Sequence, residues 1–402
     1  MLHLLINGLL YGAGIGLLCC TGFLVLLLAA VIRFRRRPQL PPPSSYPAVS
    51  LLKPLCGLEP NLESNLRSFF EQDYPDFEIV FGTRDDTDPA LAVARRLHEQ
   101  YPRVAVKFVY SGQPKRPNAK VCSLEAMIAA ASHEYLVMSD SDVIVTGDYT
   151  KSVVRPLLDP QVGLVTCVYR GVSTGTIWSR LDALGMSVEM TSGVIVADML
   201  EGMKFALGPT IAARRQVLDA VGGMGSLDDY LAEDFVLGDR VHASGRTVVL
   251  SACIIDQVAF NRGFRDSMGH QVRWMRSTRF SRPKGHVGTG LTFAIPFGLL
   301  GLVAGIAGRH PRLGVALFAA AVLNRMIMSV AAGWGAVRDR YAVAYCWLYP
   351  VRDLMGFCFW VMSFLGTTVV WRNDRYRLLP GGKIVRVSAD SASRPVAVDD
   401  LA

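Results

Sequence analysis

The chain lacks the features that would staple a small secreted fold or a zinc domain. Its eight cysteines (Cys19, Cys20, Cys56, Cys122, Cys167, Cys253, Cys346 and Cys358) form no CxxC pair and no Cys/His spacing suited to zinc. Scattered in this way, they read as small apolar residues of a reducing compartment. No Lys or Arg precedes the first apolar run, which is also too long for the core of a cleaved leader, so a signal peptide is excluded in favour of a retained anchor. No internal repeat is present. Charge is scarce as well: charged residues make up 19% of the 402 residues against 51% hydrophobic, and the mean hydropathy is +0.29. That is too apolar for an ordinary soluble enzyme and too charged for membrane spans alone, so the composition implies one soluble domain with a few membrane segments. The net charge of +8 lies beside apolar runs and is not interleaved with aromatics, which favours lipid headgroups and phosphates over nucleic acid.

From Leu4 to Ile32 nearly every residue is apolar, Gly or Thr, and the run ends in Arg33, Arg35, Arg36 and Arg37. At about 20 residues per crossing the stretch can span, and the arginines put its C-terminal end on the cytoplasmic side. This anchor (1–36) is followed by a Pro-rich linker (37–47). From Ala48 short apolar strands alternate with helices: AVSLLKPL, NLESNLRSFFEQ, EIVFGT, PALAVARRLHEQ, VAVKFVY, KVCSLEAMIAAA, EYLVMSD. Such alternation predicts an α/β domain (48–285) with a mostly parallel sheet covered on both faces, binding its ligand beyond the carboxyl ends of the strands. Three further candidate spans, Leu291–Ala307, Leu313–Trp334 and Leu354–Val370, fall within 286–371. Three crossings would put the basic tail (372–402) opposite the catalytic domain, whereas its Arg372, Arg375, Arg377 and Lys383 favour the cytoplasmic side, so its side is left open. The stretch Thr174–Leu207 is apolar but punctuated by Arg180, Asp182, Glu189, Asp198 and Glu201. It is expected to lie at the membrane surface or in the core without spanning.

Two acidic clusters fall at strand ends: Asp85, Asp86 and Asp88 after EIVFGT, and Asp140 with Asp142 after EYLVM. In extended chain, residues two apart point the same way, so a D-x-D can aim two carboxylates at one hard cation that also takes substrate phosphates. Glu233 and Asp234, at the start of a helix in LAEDFVLGDR, are either a helix cap or the carboxylate base that sugar transfer requires. HQVRW spans His270 to Trp274. Its Arg273, with Arg276 and Arg279 at helical spacing, forms either a pyrophosphate-binding face or a positive flank beside an interfacial Trp. The loop GQPKRPNAK adds Lys115, Arg116, Asn118 and Lys120 ahead of a helix start, which suits either a phosphate or base contact or solvated surface charge.

Taken in order, LLKPLCGLEPNLESNLRSFFEQDYP, RDDTDPAL, SDSDV, GLVTCVYRG, AEDFVLGDR and the RW of HQVRW resemble the ceramide glucosyltransferase family, membrane-attached transferases of GT-A (Rossmann-like) fold. The similarity covers residues 48 to 285 and continues weakly to RYRLLPGGK. The resemblance implies a D, D, D, (Q/R)xxRW signature. Asp85 would contact the nucleotide with Asn118 and Lys120, Asp140 would bind metal and diphosphate with Asp142 as second metal carboxylate, and Asp234 would be the catalytic base. Glu233, His270, Arg273 and Trp274 would serve the acceptor or diphosphate.

Two departures stand out: His270 occupies the position of the family's Gln or Arg, and Asp142 stands where eukaryotic ceramide enzymes carry Gly. Both make a bacterial relative with another lipid acceptor credible, the hopanoid glycosyltransferases being similar. The implied activity is inverting, non-processive transfer of one sugar from UDP-glucose or UDP-N-acetylglucosamine to a lipid hydroxyl, on ceramide or a hopanoid polyol. Mg²⁺ or Mn²⁺ would assist, in a multi-pass protein whose catalytic domain faces the cytoplasm, in the bacterial cytoplasmic membrane. Three other readings fit part of the pattern. A processive polysaccharide synthase normally carries Gln at position 270. A phosphohydrolase nucleophile motif is poorly met by Ile144. The last alternative is a non-catalytic nucleotide-sugar or lipid binder using Arg325 and Arg352.

Overall fold

The first apolar strand, β1 (Val49–Pro54), is buried along almost its whole length and becomes a central strand of the sheet. Around it the chain lays down β2 (Phe77–Thr83), β3 (Ala105–Tyr110), β4 (Tyr135–Met138), β5 (Val143–Ile144), β6 (Val162–Ser173), β7 (Ile211–Arg214) and β8 (Thr247–Ala259). These form one eight-stranded sheet in the order β3-β2-β1-β4-β7-β6-β8-β5. The computed structural model describes residues 1–38, 40–114, 116–260, 263–371 and 374–387. Pairing is parallel from β3 through β2 and β1 to β4, and again between β6 and β8; β7 is antiparallel to both its neighbours, and β5 is antiparallel to β8. The expected mostly parallel α/β sheet is therefore present. Leu51, Leu52, Ile79, Val80, Phe81, Leu136 and Val137 form its core, closed off from water by side chains such as Leu66, Phe69, Ala94 and Met127 of the covering helices.

The N-terminal helix Leu2–Arg35 is 34 residues long and exposes Leu4, Leu5, Tyr11, Ile15, Leu18 and Val25. It packs on the helix Ala294–Ala307, where a Cβ on Gly16 would strike the ring of Phe297 at 2.2 Å and one on Gly301 would lie 3.4 Å from Ala13. That helix in turn packs on Pro311–Met328, where a Cβ on Gly305 would meet the backbone of Gly314 at 2.7 Å. Close backbone approach at small residues is how helices associate where no hydrophobic drive separates them from lipid. At the basic C-terminal end of the N-terminal helix, Arg33 donates to the carbonyl of Met199 and Arg37 pairs with Asp198, tying that helix to the α/β domain.

Among the described residues three helices are long and apolar enough to cross a membrane: Leu2–Arg35, Ile177–Glu201 and Pro311–Ala336. The pair Pro283–Thr292 and Ala294–Ala307, bent by 49°, adds a fourth if it acts as one span. Ile177–Glu201 is a continuous 25-residue helix that passes this test, yet two thirds of its most apolar window (67%) is buried in the protein, which agrees with packing in the core. Within it Asp182 accepts from Ser267 and Gln271, and Glu189 pairs with Arg352. One expectation needs correction: Leu354–Val370 is not a single helix. The helix Tyr349–Ser363 ends before Gly366, whose φ of 85° turns the chain, and the apolar residues beyond belong to β9 (Thr368–Trp371).

β9 pairs with β10 (Asp374–Leu378), which pairs with β11 (Ile384–Arg386), all antiparallel. This small sheet docks on the loop before helix Glu233–Ala243: Leu231 donates its N–H to the carbonyl of Gly382 at 3.2 Å, and Ile384 donates to the carbonyl of Asp229 at 2.6 Å. The tail through Val387 thus lies on the catalytic side. Arg372 and the residues after Val387 lie outside the described residues.

Candidate active site

β4 ends at Met138, and the next four residues, Ser139 to Asp142, turn at the carboxyl edge of the sheet before β5 pairs with β8. The turn is held from several sides. The N–H of Val258 donates to the carbonyl of Asp142 at 2.9 Å, Asn65 donates to that of Ser141 at 3.1 Å, and Ser141 Oγ donates to Glu59 at 2.6 Å. From below, Lys53 of β1 donates to the carbonyl of Asp140 and lies 3.6 Å from the ring centroid of Phe69. Lys53 is fully buried, and desolvation lowers its pKa to about 7 despite the pull of Asp140 and Asp142. Sequence reading passed over it as part of a strand. A lone Lys inside an otherwise apolar parallel strand was the available signal.

Asn118 is wholly buried and caps the helix Ala119–Ala130 by accepting from the N–H of Val121 at 3.1 Å. Its amide donates to the carbonyl of Tyr230 and to Glu233, at 2.8 and 3.1 Å. Two residues on, Lys120 Nζ lies 2.7 Å from Asp140 Oδ1 and 3.1 Å from Glu233 Oε1, and these carboxylates, with Asp234, hold its pKa well above the ordinary value against burial. Glu233 is therefore engaged with Asn118 and Lys120, where a cap would have left it facing water. Asp234 accepts from the N–H of Gly208 at 2.6 Å and of Phe235 at 2.8 Å. Desolvation, helped by Glu233 and opposed by Lys120, raises its pKa to about 6. A carboxylate poised near neutrality is what a general base needs.

Asp142 accepts from Gln257 at 3.1 Å through Oδ2, while its Oδ1 is buried with no hydrogen-bond partner. Among the described residues no cluster of three or more Asp, Glu, His or Cys side chains is placed to hold a metal. Two carboxylates, one with an unpartnered oxygen, fit a hard cation that takes its remaining ligands from water and substrate phosphates.

Asp140, Asp142, Lys120, Glu233, Asp234, His270, Arg273 and Trp274 all line one cavity of about 800 Å³. His270 packs against Trp274 with ring centroids 4.4 Å apart, and burial, reinforced by Arg273, lowers its pKa to about 3. It is neutral at physiological pH and so resembles the Gln of the signature more than its Arg. Asp85 sits apart: exposed, it accepts from the N–H and hydroxyl of Thr87, while Asp88 lines the cavity and accepts from the N–H of Gly57 at 3.0 Å. Arg276 and Arg279 do not join a pyrophosphate face. Arg276 donates to the carbonyls of Leu365 and Thr368, and Arg279 to that of Ser363, holding the link to β9. Arg116 pairs with Asp228 and Asp229, and Lys115 lies outside the described residues.

The model of glycosyl transferase family 21 matches residues 16–384. The chain belongs to glycosyl transferase family 21. Ceramide glucosyltransferase 1 of Caenorhabditis elegans is 25% identical over 398 residues, covering 96% of this chain and 84% of the relative. The ceramide glucosyltransferase of Komagataella phaffii is 34% identical over 126 residues, 30% of this chain and 25% of that one. Among solved structures, a mannosyltransferase from Pyrobaculum calidifontis in complex with GDP-Man and Mn²⁺ shares the fold, with a TM-score of 0.51 at 20% identity over 89% of this chain and 99% of its own. The family member described here is thus an enzyme, a hexosyltransferase of GT-A fold that is associated with the membrane.

Proposed function

We propose that the protein transfers one sugar from a UDP-sugar to a hydroxyl of a membrane lipid by a single inverting displacement. The observation that carries this reading is the shape of the cavity. It begins at Lys120, Asp140, Asp142 and Asp234 and continues between Met190, Val194 and Phe293 into the apolar helices. A water-borne acceptor has no need of such a floor, whereas a lipid can bring its hydroxyl to Asp234 with its chains still among the helices.

Asp234 takes the proton from the lipid hydroxyl, whose oxygen attacks the anomeric carbon as the bond to the diphosphate breaks. The N–H groups of Gly208 and Phe235 hold the carboxylate in place for this transfer. Asp140 and Asp142 would hold a divalent cation, which when bound neutralises charge on the departing diphosphate. Arg273 adds positive charge at the same end, and neutral His270 contributes hydrogen bonding. Asn118 and Lys120 brace Glu233 and Asp140 beneath the donor. Ceramide is the acceptor class suggested by the relatives' names, with a hopanoid polyol as the second candidate, and UDP-glucose and UDP-N-acetylglucosamine are the candidate donors.

Membrane placement follows the same reading. The anchor's arginines and the docking of β9–β11 on the catalytic loop support a multi-pass protein with both catalytic domain and tail on the cytoplasmic side. The bent pair and Pro311–Ala336 would then form a hairpin through the bilayer.

The test is incubation of purified protein with each donor against ceramide, a hopanoid polyol and diacylglycerol, reading lipid products by mass. One added sugar per lipid is expected, a hexose or an N-acetylhexosamine according to the donor; a ladder of sugars, or no lipid product, refutes the reading. Asp234→Asn should abolish transfer while leaving nucleotide-sugar binding within about threefold of wild type, since the base serves the acceptor step. Preserved turnover in that variant removes the assigned base.

A further inference from the structure

Among its apolar helices the cavity reaches a second set of polar residues that the displacement does not use, the charged Glu189 and Arg352 and the amide of Gln271. Within the helix Ile177–Glu201 the segment Gly185–Met190 is a π-helical turn, and Glu189 lies in it. Such turns insert an extra residue and re-aim the side chains they carry. Glu189 keeps 22% of its side chain exposed, and its Oε2 lies 3.0 Å from Arg352 Nη2. Arg352 is itself only 2% exposed. Its Nη2 also donates to Gln271 Oε1 at 3.0 Å, and Gln271 in turn donates to Asp182 at 3.0 Å. Two glycines make room for the guanidinium. A Cβ on Gly185 would come 2.6 Å from its Nε, and one on Gly356 would come 2.9 Å from its Nη1 and 3.3 Å from Glu189 Oε2.

The neighbouring buried pair shows what a purely structural arrangement looks like. Arg325 pairs with Asp353 at 3.1 Å and donates to the carbonyl of Thr292 and to Asn324, so each guanidinium nitrogen has a partner. Arg352 differs: its Nε and Nη1 are buried with no hydrogen-bond partner. Leaving donors unsatisfied inside a protein is costly and rare, so this pair is not the fully satisfied bridge that Arg325 and Asp353 make. The Glu189–Arg352 pair carries no net charge, and the carboxylate at its open edge disfavours an anion. A neutral group that donates a hydrogen bond is the match.

We propose that Glu189 and Arg352 form the subsite for a second polar group of the lipid acceptor, an amide or hydroxyl lying deeper than the reacting hydroxyl. Glu189, whose side chain keeps part of its surface open to the cavity, accepts from that group's N–H or O–H, and the buried Arg352 holds that carboxylate in place. This rests on the acceptor being a membrane lipid, and it adds that the lipid must be polar at two points. Single-headed alcohols would be poor acceptors.

The experiment compares a matched pair of acceptors, an N-acyl amino alcohol and its N-methyl analogue without the N–H, with wild type, Glu189→Ala and Glu189→Gln, measuring kcat/KM for each and donor affinity by calorimetry. Wild type should favour the N–H acceptor by roughly 10- to 100-fold, the worth of a hydrogen bond to a charged acceptor. In Glu189→Ala that preference should collapse to about one with donor affinity unchanged, and Glu189→Gln should fall between because its carbonyl still accepts. If Glu189→Ala does not fold, as loss of donor binding would report, the intermediate preference of Glu189→Gln decides alone. An undiminished preference in variants that bind donor, or no preference in wild type, overturns the subsite. Failure of wild type to glycosylate either lipid instead removes the lipid-acceptor reading itself.

Discussion

Replacing Lys120 by Met should slow transfer in a way that depends on pH. The ammonium touches Asp140 and Glu233, and the space beside Gly208 measures its reach toward the base: a methyl there would lie 3.1 Å from Asp234 Oδ2 and 3.6 Å from Lys120 Nζ. The two charges are therefore no more than about 7 Å apart, and at an effective dielectric of ~20 their attraction is at least ~2 kcal/mol. That corresponds to roughly 1.5 pH units. With Lys120 in place Asp234 titrates at about 6, so the deprotonated base accumulates as pH rises through 6 and kcat/KM rises with it. Without the cation the carboxylate form loses its main support and the acid limb should move to about 7.5. At pH 6.5 the variant then carries about eight times less active base than wild type, while at pH 8.5 the two are nearly equal. The assay is kcat/KM for lipid glycosylation across pH 5.5 to 9 at saturating cation. Loss of a donor contact alone would lower the rate by one factor at every pH. A deficit that stays constant between pH 6.5 and 8.5 therefore refutes the electrostatic link between Lys120 and the base.

Asp142→Asn should raise the Mn²⁺ concentration for half-maximal activity by at least ~10-fold while leaving the acid limb of the pH profile where it is, because the side chain serves the cation and not the acceptor. A cation titration of lipid transfer checks this. Asp353→Ala leaves Arg325 buried without its partner and should cost ~3 kcal/mol or more of stability. A fall in melting temperature in detergent, larger than that for Arg340→Ala on the exposed surface, is the expected reading.

Much of the catalytic layout was legible before folding because its residues lie where strands must end. A buried parallel strand has to be continuously apolar, so the polar residues following EYLVM could only be at the carboxyl edge, and the D-x-D at Asp140 and Asp142 was placed by that logic. Glu233 and Asp234 were found as an acidic pair at a helix start, yet their contacts with Asn118, Lys120 and Gly208 were invisible because those partners are more than 20 residues away in the chain. Lys53 and Gln257 escaped notice for the opposite reason. Each looks like an ordinary strand residue until the neighbouring strand delivers Asp140 or Asp142 to it. Arg276 and Arg279 shared a helical face with Arg273, as their spacing required, but spacing does not say what the face meets. It meets the carbonyls of Ser363, Leu365 and Thr368.

Local chemistry alone determined the anchor, the alternation of strand and helix, the carboxylate clusters and the return of apolar segments, since each depends on composition within a few turns of chain. Only the tertiary structure decided which charges converge. It turned a run ending in Val370 into a helix and a strand, and folded the basic tail back onto the loop before Asp234. It also set Glu189 and Arg352 against each other from helices more than 150 residues apart. The physical reason is range. Periodicity and hydropathy act between near neighbours, whereas a buried charge finds its partner through packing, and packing is a property of the whole chain.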